Sequence, residues 1–140
     1  MNAPQPDPRK PSAEIPGEIV YAAQIESFDK LPKAMQDKLI EVNPKARKKA
    51  AVIYVGKTRL EAEERYANHL VGYKSSRLVR KHHRQLIVLD RWKPKFPFAL
   101  SPKLVKAIYL LARRSRADGA KREAEVARLL RDAGFFVHSA

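Results

Sequence analysis

The stretch Ile53–His83 reads IYVGKTRLEAEERYANHLVGYKSSRLVRKHH, and it holds the pattern that decides the fold. It begins inside AVIYV, 51–55, a short β-branched apolar run that predicts a strand. Gly56 punctuates that strand. Thr58 with Glu61 three residues on has capping-box spacing, so a helix is expected from about Arg59 to Val71, stopped by Gly72. Within that helix Arg65 and His69 are four apart and project from one face. Residues 73–84, YKSSRLVRKHHR, follow as a basic stretch without a single acid.

Working outward, IVYAAQI at 19–25 predicts a first strand and KAMQDKLIEV at 33–42 a short helix, with Met35, Leu39 and Val42 on one face. Asn43-Pro44 ends that helix, because a residue before proline avoids the helical region. Residues 85–90 predict a third strand and the proline-rich 92–98 a loop. Ser101-Pro102 opens a helix whose buried stripe is Leu104, Ile108 and Leu111; Asp118-Gly119 breaks it. A last helix is expected over 121–133, stopped by Gly134, with FFVHS as a final short strand. Half of the ten prolines lie in residues 1–18, which read as a disordered tail. The rest, 19–140, reads as one α+β domain built on a small antiparallel sheet of about three strands flanked by helices.

The chain has 140 residues and a formal net charge of +14. That excess calls for a polyanionic partner, with nucleic acid ahead of an anionic membrane surface. With no cysteine, a disulfide scaffold, a thiolate zinc site and a cysteine nucleophile are excluded. No apolar run is long enough to cross a bilayer, and no secretory signal is visible, so a cytoplasmic protein is expected. His82-His83 reads as basic surface, being a poor chelate without further ligands. Trp92, Phe96 and Phe98 read mainly as loop packing.

The motifs Tyr54-Val55-Gly56 with Lys57-Thr58, then Glu64-Arg65-Tyr66-Ala67-Asn68-His69, then Gly72-Tyr73-Lys74-Ser75-Ser76-Arg77, resemble the GIY-YIG nuclease family. The first family motif is weaker here, as Ile19-Val20-Tyr21, with Tyr21 at the position that matters. The resemblance covers about 19–137 and is dense over 53–83. The two strand motifs lie much further apart than in many members, so 28–50 would be an insertion in the hairpin and 92–118 a second.

The resemblance implies a divalent-metal-dependent endonuclease that hydrolyses DNA phosphodiesters. Its catalytic set would be Tyr21, Tyr54, Arg65, His69 and Glu123. Tyr21 would help activate water, Tyr54 would support by a hydrogen bond the charged phosphorane-like state that Arg65 stabilises, and His69 would relay a proton, titrating near neutrality. Arg65 would meet the phosphoryl oxygens with its planar fork of donors. The metal, Mg²⁺ or Mn²⁺, would rest on a glutamate of the last helix. Glu123 and Glu125 both qualify; Glu123 is preferred because it shares a face with Val126, Leu130 and Ala133. Lys57, Lys74, Arg77, Arg80, Lys81 and Arg84 would hold backbone phosphates. The partner would be DNA, with RNA as an alternative, and a homodimer is one way for such sites to cut both strands. Two other readings compete: an inactive nucleic-acid-binding module on the same fold, and a basic RNA-associated structural protein.

Overall fold

The computed structural model describes residues 17–72 and 76–139. The tail expected over 1–18 therefore lies almost wholly outside the described residues. The elements run β1 Ile19–Ile25, α1 Lys33–Val42, β2 Val52–Thr58, α2 Ala62–Val71, α3 Arg77–His82, β3 His83–Ile87, α4 Pro102–Ala112, α5 Gly119–Asp132 and β4 Phe136–Ser139, with a 3-10 turn at Phe28–Lys30.

The sheet has four strands in the order β3-β1-β2-β4. β1 pairs antiparallel with β2 and β3, while β2 and β4 run parallel. The expected three-stranded antiparallel sheet is thus corrected to a four-stranded mixed one. The α+β class stands. The parallel pair arises because β4 returns to the sheet through α5, and a parallel partner requires such a crossover.

Strand alternation divides the core in two. Val20, Ala22, Ile53 and Val55 pack with Ile108, Ala112, Val126 and Leu130 beneath α4 and α5. Ile19, Tyr21, Ala23, Val52 and Tyr54 face the other way, against Leu39 of α1 and Leu78 and Val79 of α3. The segment 28–50 thereby supplies part of a wall over the second face.

Three local expectations change. The capping box does not form: β2 runs on to Thr58, whose hydroxyl accepts from Leu60 N at 3.0 Å, and Glu61 becomes the cap of a helix beginning at Ala62. Gly72 does end that helix, at φ 88°, a left-handed conformation that favours glycine. The basic stretch contains a short helix, α3, opened by the Ser76 hydroxyl accepting from Val79 N and anchored by buried Leu78 and Val79. Asp118 is the cap of α5, accepting from Lys121 N at 3.1 Å, while α4 already ends at Ala112.

Two polar side chains fix the connections. The Arg122 guanidinium donates to the carbonyls of Leu111, Arg113, Glu18, Ser115 and Ala117, tying the α4–α5 loop to the start of β1. Buried Asn43, at the end of α1, donates to Val137 O at 3.0 Å and accepts from Val137 N at 2.9 Å. It thus satisfies the outer edge of β4 with one amide.

Candidate active site

Tyr21 pairs in register with Gly56, and Tyr54 with Ala23, so both phenols emerge on the face opposite α4 and α5. Their ring centroids lie 6.1 Å apart. Gly56 is required by close approach: a Cβ there would sit 2.7 Å from the Tyr21 hydroxyl. The glycine after the second strand tyrosine therefore makes room for the first.

α2 follows β2 after a tight turn and lays His69 over both rings. His69 is fully buried, with its ring centroid 6.0 Å from Tyr21 and 5.5 Å from Tyr54. Ser76 N donates to Nδ1 at 2.9 Å, so Nδ1 must be the acceptor. The proton of the neutral ring is then on Nε2, which donates to the Tyr21 hydroxyl oxygen at 2.6 Å. A hydrogen bond between the two phenols raises the pKa of Tyr21 and lowers that of Tyr54, the pattern of Tyr21 as donor. The polar row thus runs Ser76, His69, Tyr21, Tyr54.

Burial, and then the Arg65 charge, push the His69 pKa down to about 4. The expectation that His69 titrates near neutrality is therefore not met. It is a neutral ring that orients Tyr21. Burial also pushes the Tyr21 phenol far above its ordinary range; Arg65 opposes this by charge and hydrogen bonding but does not outweigh it. Tyr54 is raised for the same first reason. Arg65 acts electrostatically on Tyr21, Tyr54 and His69 together, and on Tyr21 by a hydrogen bond as well.

The two glutamates separate. Glu125 pairs with Arg128, which also holds Asp132, so this edge of α5 is a solvated ion-pair ladder. Glu123 is 7% exposed and takes no part in that ladder. Burial raises its pKa to about 7; Glu18 adds to the rise and Lys57 opposes it. Its charge is felt at Tyr54. Glu123 is not the ion-pair partner of Arg122, which is spent on carbonyls.

The chain has no match among family models, curated proteins or solved structures.

Of the expected phosphate-holding residues, Arg77, Arg80 and Lys81 are exposed on α3 and Arg84 is exposed on β3. Lys74 lies outside the described residues. Lys57 instead pairs with Glu18 at 2.9 Å, beside Glu123. His82 pairs with Glu26 at 3.1 Å and His83 packs edge-on to Tyr66, so neither contributes a chelate. Trp92 packs on Tyr109 and Phe98 on Phe135, away from the tyrosines.

Two residues near the tyrosines escape the sequence argument. His138 of β4 stacks with Tyr54 at 5.8 Å. Its signal was the alternation of a final strand, in which Phe136 and His138 share a face. Ser76 acts through its backbone N–H, for which residue type carries no signal.

A divalent cation needs deprotonated oxygen ligands. Among the described residues, no group of three or more His, Cys, Asp or Glu gathers to hold one. Glu123 alone fits the alternative, a single-carboxylate site completed by water and substrate phosphate. Its carboxylate is buried, which disfavours its charge, and a bound cation would relieve that cost.

Proposed function

We propose that the protein is a divalent-metal-dependent endonuclease of the GIY-YIG type, acting on DNA. One observation carries the reading: Tyr21, Tyr54 and His69 meet on one sheet face under the charge of Arg65, and a buried carboxylate, Glu123, is in electrostatic reach of Tyr54.

Each residue has a defined part. Arg65 meets the non-bridging phosphoryl oxygens, where charge accumulates in the transition state. Tyr21 rests as a neutral phenol, fixed by the His69 Nε2–H at 2.6 Å and by Arg65, and would orient the attacking water, whose proton leaves to solvent as the new P–O bond forms. His69 keeps a fixed tautomer because Ser76 N occupies Nδ1, so it donates to Tyr21 rather than shuttling a proton. Tyr54 holds the Tyr21 hydroxyl in line. Glu123 would hold Mg²⁺ or Mn²⁺, which supplies Lewis-acid stabilisation at the phosphoryl oxygens. The exposed cations of α3 and β3 track the backbone without reading sequence.

The test is cleavage of supercoiled plasmid in Mg²⁺ against an EDTA control. Nicking or linearisation is expected, abolished by Glu123→Gln and untouched by Glu125→Gln. Arg65→Ala should cost roughly 10²–10³-fold. Because protons compete with the cation at Glu123, the rate at limiting Mg²⁺ should rise with pH through about 7. Plasmid retarded on a gel but uncut in every condition would instead assign a binding module.

A further inference from the structure

A cavity of about 440 Å³ opens directly beside Tyr54 and is built across α1, β2, α3 and β4. Its size falls in the range of small-ligand pockets, roughly 300–1,000 Å³. Three features of its lining belong together. Met35, Leu39 and Leu78 give it an apolar surface. Tyr54 and His138, stacked on one another, give it an aromatic wall. Lys38 and Arg77, both exposed, stand at it as cations.

Apolar surface, aromatic wall and cationic rim are the three elements that recognise a nucleobase with its phosphate. The bases stack on aromatic faces without regard to sequence, while basic side chains follow the backbone. The wall that α1 supplies belongs to the segment 28–50, so this cavity exists because of that segment. The positive field is felt inside it: after burial, the charges of Arg131 and Lys38 hold the His138 pKa down, leaving a neutral ring suited to stacking. A base paired within a duplex cannot enter such a slot; an unpaired one can.

We infer that the cavity between α1 and α3 receives one unpaired nucleotide of the substrate strand, its base against the Tyr54–His138 wall and its phosphate on Lys38 and Arg77. The site would then select DNA with a bulged, flapped or single-stranded nucleotide over fully paired duplex. This inference rests on the proposed nuclease reading for its biological sense, but its test does not require cleavage.

The experiment is fluorescence anisotropy in EDTA with two labelled DNA duplexes, identical except that one carries a single extra unpaired nucleotide. Wild-type protein should bind the bulged duplex about tenfold more tightly, the order of effect of one stacked base. Met35→Trp, which fills the cavity from a half-buried position, should remove that preference while leaving paired-duplex affinity within twofold. Lys38→Glu, on the exposed surface, should weaken the bulged duplex more than the paired one. Equal affinity for both duplexes in wild type, or a preference that survives Met35→Trp, overturns the inference. The two readings fail separately. A preference sensitive to Met35→Trp in a protein that never cleaves DNA keeps the cavity assignment and removes the nuclease. Mg²⁺-dependent cleavage without the preference does the reverse.

Discussion

On β1, Val20 and Ala22 enter the layer under α4 and α5, while Tyr21 and Ala23 enter the layer under α1 and α3. The first layer is filled by aliphatic side chains and Phe135, with nothing to satisfy but area. The second buries two phenols and has an imidazole set over them, and each must find a hydrogen-bond partner. The contrast shows how alternation along two strands separates an aliphatic layer from a hydrogen-bonded one. It also shows where the separation is breached. Glu123 belongs to the helix of the aliphatic layer, one turn before Val126, yet its charge reaches Tyr54 on the other side.

The largest effect should come from breaking the aliphatic layer. Leu130 is fully buried beneath the sheet, and Leu130→Ala should cost ~2–5 kcal/mol in urea unfolding. The tyrosine face should keep its chemistry in that variant, so cleavage per folded molecule should hold at wild-type level below the lowered melting point.

The next effect sharpens the breach. The folded state raises the Glu123 pKa from 4.5 to about 7, so it binds a proton that the unfolded chain releases. Stability must then fall as pH rises from 4.5 through 7, by ~3 kcal/mol for a shift of that size. Glu123→Gln should match wild type near pH 4 and exceed it by up to that amount above pH 8, as read from Tm against pH. His69 works in the opposite sense: its pKa is depressed to about 4, so stability is lost as pH falls from 6.5 toward 4. A Glu123→Gln variant with the same Tm difference from wild type at every pH would show that the carboxylate is not held as described.

The smallest effect tests the hydrogen-bonded layer. Tyr21→Phe removes the acceptor of the His69 Nε2–H and leaves that donor buried, which should cost ~1–3 kcal/mol. The same variant should lose cleavage far out of proportion to that destabilisation. Equal proportional losses would reduce Tyr21 to a packing residue.

Much of this was legible in sequence because it is local. The strand at 19–25, the α1 boundaries and the Ser101-Pro102 start need only neighbouring residues. Glu123 could be separated from Glu125 because helical periodicity places it with Val126 and Leu130, and the structure buries those three together. The fold's non-local parts were not legible. The parallel pairing of β4 with β2 joins segments far apart in the chain, and no local pattern encodes it. α3 was hidden because its cations dominate the composition, while only Leu78 and Val79 carry the burial signal. The titration of His69 is not legible in sequence because residue type sets only its ordinary value; full burial and a neighbouring guanidinium set the rest.

Asn43 carries a consequence of another kind. An edge strand offers free backbone groups to any passing chain. By meeting both the N–H and the C=O of Val137, one side-chain amide occupies the place a fifth strand would take beside β4. Self-association by strand addition at that margin would first have to evict it. The opposite margin, β3, carries exposed Arg84, and two copies meeting there would bring like charges together. Each margin of the sheet thus resists strand addition by its own means, an amide on one side and a cation on the other.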